Sequence, residues 1–251
     1  GSKEGISSFD RDALLAFRDR QYTCDRLVIA TVGNVPLSRV IRLANKYAGD
    51  IPFSQGPERR PFPSGNPDFH LKRSLPVQQT HLLMGGAAYA LPAKEYVPFY
   101  MLNNLLGGPA MNSQLNLNIR EKYGLTYNIY SFYSAYMNAG NWGVYFACEE
   151  GSTERIRTLV LKELRKLREE RLGTLRLNKA KRQVIGQLTL GQESLLSRML
   201  ATARNMLDFG RDFPLPELVE EIEAVTAEDL LECANRWMKE EDLSTVQIVG
   251  E

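Results

Sequence analysis

The stretch Gly107-Gly108-Pro109-Ala110-Met111-Asn112-Ser113-Gln114-Leu115, continuing through Ile119-Arg120-Glu121-Lys122-Tyr123-Gly124-Leu125-Thr126-Tyr127 into an aromatic segment that ends at Glu150, carries three kinds of local structure in one run. The glycine pair and Pro109 end a preceding helix, a short helix follows to about Tyr123, and Gly124 supplies its stop. Leu125 to Tyr136 and Asn141 to Glu149 are strands rich in aromatic residues, joined by the turn-forming Met137-Asn138-Ala139-Gly140. A helix that runs through a tight stop into a hairpin is the pattern of helices laid on a sheet.

Toward the N-terminus, Ala93 to Leu106 repeats apolar residues at helical spacing, and Asp68 to Ser74 and Val77 to Ala88 read as strands. The Leu75-Pro76 break between those strands leaves open whether they pair. Residues 52 to 67 hold Pro52, Gly56, Pro57, Pro61, Pro63, Gly65 and Pro67, the composition of a linker or a surface loop. Before it, Leu37, Val40, Ile41, Ala44 and Tyr47 mark a helix opened by Pro36 and stopped by a left-handed Gly49. Leu27 to Val32 is an apolar run without polar alternation, as expected of a strand covered on both faces. Ser7 caps a leading helix with Asp10 at its third position, and Leu14, Leu15, Ala16 and Phe17 form its apolar stripe.

Toward the C-terminus the period is helical from Gly151 to Met238. Ser152 and Thr174 cap successive helices, the pattern continues past Ser194 to Phe209, Pro214 and Pro216 open a shorter helix, and Thr226 with Asp229 forms a capping box. Val246 to Val249 closes the chain as a strand too short to stand alone, so it returns to the earlier sheet. The expected fold class is α+β, a mixed and mainly antiparallel sheet covered by helices. Residues 1–25 are expected to form a leading arm, with Gly1-Ser2 an expression scar, and residues 26–251 a single domain.

Composition excludes more than it selects. Lys plus Arg (31) nearly equals Asp plus Glu (30), which leaves no net field to attract nucleic acid or an anionic membrane surface. No apolar run approaches the roughly 20 residues that span a bilayer, so the chain reads as soluble, cytoplasmic or periplasmic if bacterial. Cys24, Cys148 and Cys233 are odd in number and set among apolar neighbours, which suits buried thiols.

The search for chemistry is short. His70 and His81 are the two histidines, and neither belongs to an H-x-x-E-H or H-E-x-x-H helix, so each reads as a strand histidine with a local hydrogen bond. No G-x-S-x-G elbow is present, and Gly85-Gly86 and Gly107-Gly108 match no phosphate-loop pattern. Lys179, Lys181 and Arg182 read as a solvated helix face. Arg120 and Tyr127 remain. Asn112, Asn116 and Arg120 fall four residues apart as one polar stripe, with Leu115 and Ile119 facing elsewhere. Gly124 then turns the chain so that Tyr127 opens the next strand. On the residues alone two readings stand: a solvated arginine beside a half-buried tyrosine, or a donor pair that binds carbonyl oxygens without a base or metal of its own.

Gly107-Gly108 followed by Arg120-Glu121-Lys122-Tyr123-Gly124-Leu125-Thr126-Tyr127 closely resembles the R-E-K-x-G-L-x-Y signature in the C-terminal half of pitrilysin/insulinase-type zinc peptidases, the group that includes mitochondrial processing peptidase. Tyr22-Thr23, Val32-Gly33-Asn34, Gln79, Leu177-Asn178-Lys179-Ala180-Lys181 and Thr226-Ala227-Glu228-Asp229 agree with it in order, and the likeness runs from about residue 9 to the end. The resemblance implies one half of a two-half chamber. The zinc ion and its H-x-x-E-H motif belong to an N-terminal half or a separate catalytic subunit, and this chain alone is inactive. Arg120 would hold a substrate backbone or carbonyl oxygen, Tyr127 would donate to the scissile carbonyl as it becomes an oxyanion, and the extended peptide would add to a sheet edge of the zinc-bearing half. Gln114 stands where many relatives have arginine, and Pro109 and Met111 also depart from the pattern. The alternative that the resemblance allows is a non-catalytic structural or assembly subunit.

Overall fold

The computed structural model describes residues 1–51 and 69–250. The expected linker at 52–67 lies outside the described residues. The chain divides into two compact units, Gly1–Pro61 with Thr189–Pro214, and Phe62–Leu188 with Leu215–Glu251.

The second unit is built on a five-stranded sheet. Its strands are β1 (His70–Ser74), β2 (Thr80–Ala88), β3 (Asn128–Ala135), β4 (Gly140–Cys148) and β5 (Ser244–Val249), in the order β1-β5-β2-β4-β3. Among the described strands only the β1–β5 pair is parallel. The mixed, mainly antiparallel sheet is therefore as expected, and the C-terminal strand does return to it. It returns between β1 and β2, so the two strands flanking Leu75-Pro76 are not neighbours.

Alternation along the strands sets which face is covered. Leu82 pairs with Phe146 and Met84 with Val144, and these four side chains are buried together with Trp142 and Ile129. Against them pack α4 (Tyr96–Gly107), α5 (Thr153–Glu169) and α9 (Ala227–Trp237), which contribute Phe99, Leu102 and Leu106, Ile156, Val160 and Leu164, and Leu230, Cys233 and Ala234. The Trp142 indole donates to the Trp237 carbonyl over 3.1 Å, tying sheet to helix layer. On the opposite face His81, Tyr145 and Tyr130 form a row across β2, β4 and β3, with Tyr130 and Tyr145 ring centroids 5.1 Å apart. Gly107, at the end of α4, sits against β3: a Cβ there would lie 2.5 Å from the Ser131 amide nitrogen. The glycine break is thus a contact that admits no side chain.

α6 (Thr174–Glu193) runs from the second unit into the first, and α8 (Leu215–Ala224) belongs to the second. Lys181 of α6 is buried rather than solvated, and its ammonium donates to the Glu223 carbonyl in the last turn of α8 over 2.6 Å. The long stem covers apolar surface while the charge answers a helix C-terminus. Thr226 and Asp229 form the expected capping box on α9.

The first unit holds α1 (Lys3–Ser7), α2 (Arg11–Gln21), α3 (Leu37–Ala48) and α7 (Leu195–Phe209). Two helices stand where one leading helix was expected, with Ser2 capping α1 and Asp10 capping α2. Gly49 ends α3 in a right-handed conformation, φ −66°. The expected strand at Leu27–Val32 is not formed. An extended run becomes a strand only when a neighbouring strand pairs its N–H and C=O groups, and no described strand lies beside this run.

Candidate functional site

The helix between Gly108 and Gly124 is shaped by its apolar anchors. Leu115 and Ile119 are fully buried, and Asn116–Glu121 adopt a π turn, whose i→i+5 bonding is wider than an α turn. The expected polar stripe is broken by this geometry. Asn116 is buried, its amide donating to the Ser113 hydroxyl over 2.8 Å. Asn112 lies before the turn and donates to Gln183 over 2.8 Å. The turn is fixed to α5 through Asn118, which donates to Glu163 over 2.8 Å; the buried Glu163 carboxylate also receives Lys166 at 2.7 Å.

Arg120 is half-exposed, and its guanidinium lies 3.6 Å from the Met111 sulfur. Met111, one of the three residues expected from the resemblance to depart from its pattern, is thus the one that Arg120 touches. Gln114, another of the three, is buried, and its side-chain oxygen has no hydrogen-bond partner among the described residues. The Arg120 carbonyl accepts from the Gly124 amide over 2.9 Å, and Gly124 takes the left-handed φ of +63° that the stop requires.

Beyond the stop, Thr126 is buried. Its hydroxyl donates to the Ala147 carbonyl over 2.6 Å and accepts from the Asn128 amide over 3.2 Å. Tyr127 lies between this anchor and the first residue of β3, and is 89% exposed. A phenol held out on a fixed backbone is available as a hydrogen-bond donor. The structure therefore brings Arg120 and Tyr127 to one junction, on either side of Gly124, and no hydrogen bond joins them. The tyrosine is exposed, not half-buried beside a solvated arginine.

An amide ladder behind the site escapes sequence reasoning. Asn104 of α4 donates to Gln187 and accepts from Gln183, each over 2.8 Å, and Gln183 in turn accepts from Asn112. It holds the loop after α4 against α6. The signal available for it is Asn103-Asn104 inside an otherwise apolar helix.

Both histidines have local partners. The His70 ring nitrogen is 2.8 Å from the Thr245 hydroxyl and the His81 ring nitrogen 2.7 Å from the Tyr145 hydroxyl. Among the described residues no group of three or more His, Cys, Asp or Glu side chains could hold a metal ion, so the residues described here do not fit a zinc site. Burial pushes the Cys148 thiol up and the Cys233 thiol up to about 12, which leaves neither as a nucleophile near neutral pH.

Among the described residues the Arg120 and Tyr127 donors have no group of metal ligands beside them. The chain belongs to the peptidase M16 family: a family model described as the peptidase M16 inactive domain matches residues 8–184. YmxG of Bacillus subtilis, named an uncharacterized zinc protease, is 30% identical over 233 residues, covering 91% of this chain and 55% of that relative. The mitochondrial-processing peptidase subunit beta of Saccharomyces cerevisiae is 24% identical over 265 residues, covering 99% and 57%. The crystal structure of a peptidase M16 inactive domain from Pseudomonas fluorescens superposes with a TM-score of 0.86 at 21% identity, covering 100% of this chain and 59% of that one. The chain thus spans little more than half the length of the curated relatives it matches. Among the described residues no helix is long and apolar enough to cross a membrane.

Proposed function

We propose that this chain is the substrate-binding half of a zinc metallopeptidase whose metal is carried by a partner half, on the same polypeptide or on another. The peptide lies extended on that partner. Arg120 binds one of its backbone carbonyl oxygens, and Tyr127 donates to the scissile carbonyl, a contact that strengthens as negative charge develops on the oxygen. The described residues hold no group of metal ligands; this chain's share is orientation and charge stabilisation.

The observation that carries the reading is the exposure of Tyr127 at 89% between the buried Thr126 and the paired Asn128. Water solvates the phenol now, and its place in the fold gains nothing from the hydroxyl. A position so rigid in its backbone and so free in its side chain suits contact with another molecule. The names of the relatives, zinc proteases and a processing peptidase, support hydrolysis of peptides as the activity of the complete assembly.

Steady-state kinetics of Tyr127→Phe in the assembled enzyme test it. A loss of turnover on the order of 10²-fold is expected for one oxyanion donor. Unchanged turnover removes the assigned role and favours the structural-subunit alternative.

A further inference from the structure

The buried face of α5 carries a charge where its spacing calls for an apolar residue. Ile156, Val160, Leu164 and Leu167 repeat at helical intervals and pack into the core, and Glu163 falls on the same stripe, 5% exposed. A buried carboxylate needs partners to offset its lost hydration, and replacing such a pair by packed apolar side chains often leaves stability unchanged or raises it. Stability is therefore a weak reason for this residue. Its two oxygens have different partners: Oε1 meets the Lys166 ammonium at 2.7 Å, and Oε2 accepts from the Asn118 amide at 2.8 Å. The first contact stays within one turn of α5 and neutralises the charge. The second leaves α5 and reaches the middle of the π turn.

That turn decides where Arg120 points. Its i→i+5 bonding takes more residues per revolution than an α turn, so each side chain along it is rotated from the α-helical direction. Relaxed to α geometry, Arg120 would join Asn112 and Asn116 on a single four-residue stripe; Asn116 is buried and Asn112 is bonded to Gln183. Three residues beyond Arg120, the Tyr123 ring has the Arg155 guanidinium of α5 5.5 Å from its centroid, with the Lys122 ammonium at the same distance. α5 thus grips the segment at Asn118 and at Tyr123, on either side of Arg120. Of the two grips, the one through Glu163 ends on a buried group.

We propose that Glu163 is a positioning residue for Arg120: through Asn118 it holds Asn116–Glu121 in the π turn, and so sets the direction in which the guanidinium meets a carbonyl oxygen of the peptide. This rests on the function proposed above. Glu163 lies behind the turn and acts through its backbone. Its contribution is preorganisation, since an arginine already aimed loses less freedom when the peptide binds.

The test is a double-variant cycle in the assembled enzyme, combining steady-state cleavage of an internally quenched peptide with hydrogen–deuterium exchange on the same assembly. Asn118→Ala cuts the link from the side of the turn and leaves the Glu163–Lys166 pair in place; Glu163→Leu cuts it from α5 and keeps the stripe filled. Each is expected to raise KM about tenfold with kcat within about twofold, the mark of lost ground-state binding. Each is also expected to speed exchange of the Asn116–Glu121 amides about tenfold while β2 and β4 keep their protection. The two together do no more than either alone, and neither raises KM further in an Arg120→Ala background. Wild-type KM in Asn118→Ala, unchanged exchange in the turn, or a KM increase that survives intact in the Arg120→Ala background overturns the positioning role and leaves the two-half function standing. A fall in kcat at constant KM overturns it as well. Wild-type KM in Arg120→Ala itself overturns the role proposed for Arg120, and this inference with it.

Discussion

The Thr126 hydroxyl donates to the Ala147 carbonyl over 2.6 Å, and this contact holds the backbone just before Tyr127 against the neighbouring strand. Thr126 is held into the fold and Asn128 opens β3 opposite Ala147, and Tyr127, the bend between them, is 89% exposed. One buried threonine thus converts a tight helix stop into the presentation of a phenol.

Thr126→Val keeps the shape of the side chain and removes its donor. The Ala147 carbonyl and the Asn128 amide both lose a buried partner, a cost of about 1–3 kcal/mol. Urea denaturation is expected to show this loss, and Thr126→Ser is expected to recover most of it. In the assembled enzyme Thr126→Val should also lower turnover, since Tyr127 loses its fixed backbone; normal turnover at reduced stability would separate the two roles.

Tyr127→Phe should behave oppositely. The hydroxyl makes no hydrogen bond within the described chain and the ring is largely solvated, so its removal is expected to change stability by no more than about 0.5 kcal/mol. Turnover of the assembly carries the effect instead. A melting temperature that falls along with activity would place the phenol in the fold rather than on substrate.

How much of this was legible in the sequence follows from the kind of interaction involved. The sheet, its hairpin and the α9 capping box were readable because alternation, turn residues and caps are local signals. The position of β5 between β1 and β2 was not, since pairing between residues 175 apart leaves no local mark. Arg120 and Tyr127 were visible as an unexplained pair, and the resemblance gave them roles. The polar stripe failed because a four-residue period assumes an α-helix, whereas burial of Leu115 and Ile119 goes with a π turn. Leu27–Val32 has the composition of a buried strand and pairs with no described strand; composition marks burial and does not supply the neighbour.

The two glycines that frame the site should respond in different ways. At Gly107 an added Cβ meets the Ser131 nitrogen at 2.5 Å and the Leu115 side chain at 2.7 Å, and strand backbone cannot retreat cheaply. Gly107→Ala is expected to cost about 3 kcal/mol, the upper end of core overpacking. Gly124 has open space around it but a φ of +63°, so Gly124→Ala should cost about 1–2 kcal/mol of backbone strain alone. Gly124→Asn should cost less, because asparagine tolerates that region. An equal cost for Ala and Asn at 124 would show that space, not φ, governs the position.

Lys181→Met tests the buried ammonium. Methionine preserves much of the apolar stem, so the change isolates the bond to the Glu223 carbonyl. A hydrogen bond from a charged donor to a helix C-terminus is worth about 1.5–3 kcal/mol, and a loss in that range is expected from equilibrium unfolding. A neutral result would mean that desolvating the ammonium offsets the bond.

The thiols give a pH dependence whose sign is fixed by burial. Cys233 is pushed up to about 12, first by burial and then by the nearby Glu95, Asp229 and Glu232 carboxylates, with the Tyr89 hydrogen bond opposing. Burial raises Cys148 as well. The fold therefore favours the neutral thiol, while the unfolded chain ionises it near pH 8.5. The resulting stabilisation is complete below about pH 8.5 and is lost progressively as pH rises toward about 12. Tyr89, also raised to about 12 by burial, adds to the decline above about pH 10. Unfolding free energies measured by urea titration should fall between pH 8.5 and 10, and Cys233→Ala should flatten that slope. In the native protein at pH 8 a thiol reagent should label the half-buried Cys24 readily, with Cys148 and Cys233 reacting only on unfolding. Rapid labelling of three thiols in the native state would mean that the layer between α9 and the sheet opens far more often than its packing implies.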